Sequence, residues 1–507
     1  MIAKKTYITL FAVLFALCAG GVSGLIFPPF EGAGFGYVAF ISFISFLFEH
    51  KWSKKEVFGY AYLFGFAFFA VSFSWINNAL LVDAERLGDF VPLSIIAIGL
   101  FFGLFFAVPA LASFWGRNIY SRMLIFSGAF VFMEWVRSFI FTGFPWNLLG
   151  TALAFDVRLL QGAKYIGTYG LSLVLLIYCL GGALCVLSLY HKKWYKGSMW
   201  FLLVPTFFMG AMWLSFSSTN DLNGLKVRLV QPSIPQTLKW NKQMLHQNFR
   251  KYIDLTKVQT LDDVDMVVWG ETASPYFLDH DAQHLFELKE AIPNEGFLVT
   301  GVLRLAMENG EIVPYNSMFV INHEAQIKDY YDKSHLVPFG EYLPFRKYLP
   351  DFMSPVADII GDLGRGEKHK NLRVSGLPLM GGAICYESIF PKDVINEKKR
   401  PEILLILAND GWYGISAGPY QHFVAAQMRA IEEGITVIRS GNNGVSGVIT
   451  PNGEVLGYMD LNEEGVSDVK LPKKLTVKTL YGQYGNIVPF MLILLVLLVA
   501  KYMQKVD

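Results

Sequence analysis

The sequence predicts a polytopic α-helical membrane domain joined to one layered α/β domain and closed by a final span. Three observations predict it. Of the 507 residues, 53% are hydrophobic and only 17% charged, whereas soluble domains carry about a quarter charged residues. Most of the long apolar stretches come before residue 217. After them runs a stretch of ordinary polarity, roughly 260 residues long, enough for one folded domain. The net charge of +1 is built without any long basic run, which argues against nucleic acid as a partner.

Seven early segments lie near the ~20 apolar residues needed to cross ~30 Å of hydrocarbon. They are about 7–24, 33–48, 57–78, 91–114, 122–141, 166–190 and 197–217. An eighth, 487–500, is short and reaches further if Tyr484 and Tyr502 sit in the two interfaces. These segments divide the chain at 1–219, 220–482 and 483–507. Lys4 and Lys5 ahead of an apolar run also fit a secretory signal, but six further spans favour a membrane anchor.

Positive charge orients the spans. Lys4 and Lys5, then Lys51, Lys54 and Lys55, then Arg117 and Arg122, then Lys192, Lys193 and Lys196, then Lys501 and Lys505 fall on one side. The opposite loops hold Asp83, Glu85, Arg86 and Asp89, and then Asp156, Arg158 and Lys164, with no comparable excess. Both termini are therefore expected in the cytoplasm and the large domain outside it. Glu134 and Arg137 fall one helical turn apart inside a span. Intramembrane charge is costly, and mutual pairing is the simplest account of them.

In the large domain the pattern changes to short β-branched runs. Strands are expected at 226–231, 266–269, 297–303, 315–321, 379–384, 403–409, 436–440 and 445–450. The turn at Pro451, Asn452 and Gly453 leads to a partner strand at 454–457. Helical patterns fall at about 241–260, 281–292, 390–398 and 419–433. In the last, Phe423, Ala426, Ala430 and Ile431 share one apolar face. Strands alternating with helices imply a layered α/β arrangement. Gly361, Gly364 and Gly366 do not open a helix after a strand, so no nucleotide loop is expected.

Three strand-end segments carry the candidate chemistry. Glu271 follows the run Val267-Val268-Trp269-Gly270, Lys333 follows Tyr331-Asp332, and Cys385 follows Gly381-Gly382-Ala383-Ile384. Cys18, Cys179 and Cys185 fall in predicted spans, so Cys385 has no disulfide partner in its own domain. A thiol must lose its proton to attack well. A carboxylate can take that proton, and an ammonium favours the thiolate and the oxyanion that follows. Taken singly, each has a bland reading: a small buried hydrophobe, a solvated strand-end charge and a surface lysine. The chemistry rests on the three coming together. No His, Cys or Asp cluster has ligand spacing, so no metal is expected.

These segments resemble the nitrilase superfamily, whose members carry Glu, Lys and Cys in this chain order on an α-β-β-α sandwich. Over nearly the whole chain the sequence is more specifically similar to the apolipoprotein N-acyltransferase family. The motifs are Glu134, Trp135 and Arg137, Thr142 to Trp146, Gln231 and Pro232 through Trp240, His335 to Pro344, Cys385-Tyr386-Glu387, Asn409 to Gly414, and Arg439 to Gly444. One position departs from the family pattern, with Gly270 where a proline usually precedes the glutamate.

The resemblance implies acyl transfer in two half-reactions. Cys385 would take an acyl chain from a phospholipid as a thioester and pass it to the α-amine of a diacylglyceryl-cysteine at an apolipoprotein N-terminus. Glu271 would serve as base, while Lys333 and the Tyr386 N–H would stabilise the oxyanion. No cofactor is required, because thioester to amide is downhill. The resemblance further implies a monomer in the cell inner membrane with its catalytic domain facing the periplasm. Glu341 would position Lys333. Glu387 would accept hydrogen bonds or steer the amine, and Arg439 would brace the site or meet a headgroup. Trp240, Phe339, Trp412, Tyr413 and Tyr420 would form an apolar rim. His335 and His422 read as structural.

Three other readings are distinguishable. A membrane-anchored amidase would use the same three residues but has no need of eight spans. A transporter would need a ladder of polar groups in its spans, which is lacking. A catalytically dead scaffold would tolerate loss of the thiol.

Overall fold

The computed structural model describes residues 2–30, 32, 34–49, 52–195, 197–218, 222–344, 346–348, 355–356 and 361–504. Lys51, Lys196 and Lys505 of the charge bias, and the expected boundary at 219/220, lie outside the described residues. The chain divides into two compact units. One comprises Met1–Asn77, Asp83–Phe216 and Thr479–Asp507, and the other Asn78–Val82 and Ser217–Lys478.

The first unit is helical. Its apolar helices are Ile2–Ser23, Phe35–Glu49, Lys54–Ser72, Val91–Ala112, Ile119–Val136, Ala163–His191, Gly197–Leu214 and Ile487–Met503. Among the described residues five helical segments are long and apolar enough to cross a membrane, and a sixth qualifies if Lys54–Ser72 and Ser74–Leu81, bent by 48°, form one span. Phe35–Glu49 and Ile487–Met503 are shorter, at 15 and 17 residues. Ser53 starts its helix with a capping box, accepting the Glu56 N–H while Glu56 accepts the Ser53 N–H. Close helix approach depends on missing side chains. A Cβ on Gly20 would lie 2.2 Å from the Phe64 carbonyl oxygen, so Ile2–Ser23 packs backbone to backbone on Lys54–Ser72.

The intramembrane charges differ from expectation. Among the described residues Glu134 and Arg137 form no direct ion pair; both turn to the backbone of the next segment. Glu134 Oε1 accepts the Leu149 N–H at 2.6 Å, and Arg137 Nη2 donates to the Asn147 carbonyl at 3.3 Å. The Arg137 guanidinium also lies 5.3 Å from the Phe69 ring centre. The partners come from the segment after the helix, Asn147 just ahead of the turn Leu149–Phe155 and Leu149 at its start.

Among its described residues the second unit contains twelve strands: β1 (Leu222–Gln231), β2 (Met266–Val268), β3 (Phe297–Glu308), β4 (Glu311–Asn322), β5 (Ile327–Asp332), β6 (Asn371–Leu372), β7 (Met380–Ile384), β8 (Ile403–Ala408), β9 (Thr436–Gly441), β10 (Ser446–Ile449), β11 (Val455–Met459) and β12 (Gly465–Pro472). They form two six-stranded sheets, ordered β12-β1-β2-β3-β4-β5 and β11-β10-β9-β8-β7-β6.

Alternation along the strands builds three apolar layers. Val227, Leu229, Met266, Val268, Met318 and Val320 of the first sheet meet Ile403, Leu405, Leu407 and Ile438 of the second in a central core. The intervening Val267, Trp269, Phe319 and Ile321 turn outward onto Phe249, Tyr252 and Ile253 of the helix Leu245–Thr256. Leu404, Ile406 and Val437 turn outward onto Phe423, Ala426 and Ala430 of the helix Gly418–Glu433. The result is an α-β-β-α sandwich. Strands covered on both faces read as continuous apolar runs, which is why β8 (Ile-Leu-Leu-Ile-Leu-Ala) shows no alternation in its sequence.

Four elements differ from expectation. β5, β6 and β12 stand where no strand is expected: β5 (Ile-Lys-Asp-Tyr-Tyr-Asp) and β12 are polar strands at the two edges of one sheet, and β6 is a two-residue edge strand of the other. The helix expected at 390–398 does not form. Pro391 stands at its start and Lys392 takes a left-handed φ of 67°, which breaks the helical path.

Candidate active site

The parallel strands of both sheets direct their C-terminal ends toward the candidate residues, the usual place for a site in parallel α/β sheets. β2 pairs in parallel with β1 and β3, and β8 with β7 and β9. Glu271 lies just beyond β2, Cys385 directly follows β7, and Lys333 follows β5.

The Glu271 turn is fixed by backbone bonds from two directions. Gly301 N–H donates to the Gly270 carbonyl at 3.1 Å, and Glu271 N–H donates to the Ala408 carbonyl of the other sheet at 3.3 Å. Gly270 fills a tight place rather than loosening the strand end. A Cβ there would stand 2.8 Å from the Asn442 nitrogen.

The structure brings the acidic and basic groups together in a buried cluster. Lys333 Nζ lies 2.9 Å from Glu341 Oε1 and 3.5 Å from Glu271 Oε1. Asn316 Nδ2 donates to both carboxylates, at 2.8 Å to Glu271 and 3.1 Å to Glu341. Glu341 uses its second oxygen to accept the Val337 N–H at 2.8 Å, which closes the loop after Lys333. Lys333 is 1% exposed, Cys385 5% and Glu271 6%. Burial alone would lower the Lys333 ammonium, but Glu341 and then Glu271 outweigh it and hold it well above its ordinary value. Lys333 therefore stays charged.

Cys385 opens the tight turn Cys385–Ile389 with φ of 51°, a left-handed geometry that costs a non-glycine residue about 1–3 kcal/mol. Its carbonyl is held in place from two sides. Ser388 Oγ donates to it at 2.9 Å, and His422 Nε2 lies 2.9 Å away. Burial pushes the thiol well above its ordinary value and Glu271 adds to this, while Lys333 and the Asn409 backbone N–H act against it. The resting sulfur thus carries its proton, and a base must remove it. The Tyr413 hydroxyl stands 3.9 Å from Sγ.

Glu387 holds the Cys385 turn to the Lys333 loop. Its Oε1 accepts from the Ser334 N–H, the Ser334 hydroxyl and the His335 N–H, at 2.7–2.9 Å. Oε2 accepts the Ile384 N–H at 2.7 Å, and the Tyr331 hydroxyl reaches both oxygens. Both of its oxygens are thus engaged as acceptors. The Tyr386 ring is buried against His335 and Phe390.

Arg439 is fully buried and committed to Asp410, with Nη2 to Oδ2 at 2.8 Å, and it also donates to the Val445 carbonyl. These contacts tie it to the turn after β8 and to the loop before β10. Asp410 Oδ1 lies 2.7 Å from His422 Nδ1, so a continuous chain runs from Arg439 through Asp410 and His422 to the Cys385 carbonyl. Burial would raise the Asp410 carboxyl, but Arg439 and His422 hold it below its ordinary value. Among the expected rim residues, Phe339 is 58% exposed with φ of 62°, while Trp240, Trp412, Tyr413 and Tyr420 are half-buried.

Two residues of the cluster escape sequence reasoning, Asn316 and Lys239. Asn316 sits inside an apolar strand, where a lone amide is the available signal. Lys239 precedes Trp240 in the short helix Gln236–Lys239 and looks like a surface lysine. It is 5% exposed, and its Nζ donates to the Glu271 carbonyl at 2.8 Å. Burial pulls its ammonium down to about 8, against the opposing pull of Glu271 and Cys385.

A two-sheet sandwich with a thiol, a carboxylate and an ammonium at its strand ends is the architecture of a carbon–nitrogen hydrolase, and residues 226–480 match that family's profile. The helical part carries a second match, to the apolipoprotein N-acyltransferase N-terminal domain at residues 19–181. The chain belongs to the apolipoprotein N-acyltransferase family. It is 32% identical to the apolipoprotein N-acyltransferase of Rhodopseudomonas palustris, covering 97% of this chain and 95% of that one. It is 36% identical to the one from Brucella melitensis (86% and 84% covered) and 33% identical to the one from Rickettsia typhi (95% and 96%). Among solved structures, a Saccharomyces cerevisiae member of the nitrilase superfamily aligns with TM-score 0.36 at 20% identity, over 50% of this chain and 93% of that one.

Proposed function

We propose that this enzyme transfers a fatty acyl group from a membrane phospholipid to the α-amine of an N-terminal diacylglyceryl-cysteine on an apolipoprotein. Glu271 takes the proton of the Cys385 thiol, and the thiolate attacks the ester carbonyl of the donor. Lys333 and the Tyr386 N–H stabilise the oxyanion. Collapse breaks the ester C–O bond, the leaving lysophospholipid oxygen takes the proton from Glu271, and a thioester remains on Cys385. The incoming amine then attacks the thioester and gives its proton to Glu271. Expulsion of the sulfur yields the amide, and the proton returns to Cys385. Glu341 holds Lys333 in place throughout.

The observation that carries this reading is the buried cluster itself, Lys333 Nζ held between Glu341 and Glu271 at 2.9 and 3.5 Å beside a buried thiol on which Glu271 and Lys333 both act. Membership in the family and the apolar helices support a lipid donor and a lipoprotein acceptor. In this reading 1–219 and 483–507 anchor the monomeric enzyme in the cell inner membrane, and 220–482 is the catalytic domain facing the periplasm. Trp240, Phe339, Trp412 and Tyr413 line the acyl entrance.

Purified protein incubated with acyl-labelled phospholipid tests the reading. Mass spectrometry should find the acyl chain on Cys385, stable until a diacylglyceryl-cysteine peptide removes it. Rapid release as free fatty acid with no amide product would point to an amidase-like hydrolase instead. Glu271→Gln should lower the rate of adduct formation by about a hundredfold or more, the scale of a lost general base. A normal adduct in that variant would remove Glu271 from its role.

A further inference from the structure

Lys239 is the unexplained charge in the cluster. A buried ammonium is unfavourable unless negative charge answers it. Among the described residues no carboxylate oxygen lies within ion-pair distance of Lys239, and its Nζ contact is the Glu271 carbonyl at 2.8 Å. The segment is nonetheless held in place. Asn248 Nδ2 donates to the Leu238 and Lys239 carbonyls, at 3.0 and 3.3 Å, and Asn409 Nδ2 donates to Gln236 Oε1 at 2.9 Å. Asn409 is also the residue whose backbone N–H meets the Cys385 sulfur.

The charges around the sulfur explain why a second ammonium belongs there. At rest, the Glu271 and Glu341 carboxylates face Lys333, and without Lys239 one negative charge is left over. When Glu271 takes the thiol proton, the negative charge moves to sulfur and the imbalance stays. With Lys239 charged, two anions face two cations before and after the transfer. Asp410 is answered separately by Arg439, and Glu387 by its own ring of hydroxyl and backbone donors.

We propose that Lys239 is a positioning residue that fixes the Glu271 turn through its carbonyl and balances the negative charge shared by Glu271 and the Cys385 thiolate. This rests on the reading of Cys385 as the nucleophile. The groups that face the sulfur are Glu271, Lys333, Asp410, Lys239, the Asn409 N–H and the Tyr413 hydroxyl, and those that face Lys239 are Glu271 and Cys385. The expected sign follows: a positive charge near sulfur favours the thiolate, so its removal makes the thiol harder to ionise.

The full-length protein in detergent, as wild type, Lys239→Met, Lys239→Gln and Lys239→Arg, provides the test. The rate of Cys385 alkylation by iodoacetamide is followed against pH by peptide mass spectrometry, with thermal unfolding as the check on folding. Lys239→Met and Lys239→Gln should move the profile to higher pH by about one unit, so that alkylation at pH 7, where Lys239 is charged, is about tenfold slower. Lys239→Arg should restore most of the wild-type profile. Neutral variants that fold and overlay the wild-type curve would overturn the inference, as would an arginine variant as impaired as the neutral ones. Phospholipid-derived acylation of Cys385 is read in the same wild-type sample. An acyl adduct there together with overlaid curves overturns the role of Lys239 alone. A wild type that never takes the adduct overturns the reading beneath it.

Discussion

In the helical unit two charged side chains are buried among the described residues, Glu134 and Arg137, and each bonds to backbone further along the chain, at Leu149 and Asn147. The sandwich buries a dozen, several linked in networks around the ends of its strands. Helix packing needs close backbone approach and few polar groups. The sandwich already satisfies its backbone in the ladders, so its strand ends can carry charge clusters, provided each charge finds a partner. One unit is therefore sensitive to added bulk and the other to lost charge.

Substitutions that exploit this contrast range widely in effect. Cys385→Ser should reduce acyl transfer by at least about a thousandfold, because a hydroxyl is a weaker nucleophile and removal of a nucleophile costs rate on this scale. A labelled-phospholipid assay measures it, and unchanged thermal unfolding would show that the loss is chemical.

Next in size is Asp410→Asn. Leaving Arg439 buried without its carboxylate should destabilise the fold by about 3–5 kcal/mol near neutral pH. The folded carboxyl lies below its ordinary value, so its contribution is complete above the unfolded value near ~3.9 and is lost as pH falls through the folded one. Melting curves of both proteins should therefore converge toward acid pH. A gap that stays constant would mean the carboxylate charge is not what stabilises the site.

Gly20→Val tests the other unit. The added carbons meet the Phe64 carbonyl, an overpacking worth about 1–3 kcal/mol. Thermal unfolding should shift while Cys385 alkylation in the folded protein stays unchanged. Smallest of all is Glu290→Gln. Glu290 pairs with Arg250 at 3.0 Å and Lys257 at 2.6 Å on the surface, so its loss should cost no more than about 1 kcal/mol and less in high salt.

How legible each region was in the sequence follows the same contrast. Span composition and buried strands such as β8 announce themselves because desolvation demands apolar residues there. β5 and β12 do not, since edge strands carry polar residues wherever one side meets water. Glu271 and Cys385 stand out by residue type at the ends of apolar strands, and Lys333 by the motif that follows it, His335 to Pro344. That Asn316 bridges two carboxylates, or that Lys239 lies under the Glu271 turn, depends on segments far apart in the chain and leaves no periodic trace. The Asp410–His422 contact was equally hidden, joining a strand end to a helix twelve residues on. The expected Glu134–Arg137 pairing failed for a related reason, because spacing on a helix takes no account of carbonyls and N–H groups supplied by the chain after it ends.

Glu387 has a consequence for motion. A single carboxylate rivets the loop that carries the ammonium to the turn that carries the sulfur, and these belong to opposite sheets. When the sandwich breathes, those two groups travel together. An opening that keeps these bonds intact hinges somewhere else and leaves the spacing between ammonium and sulfur as it is.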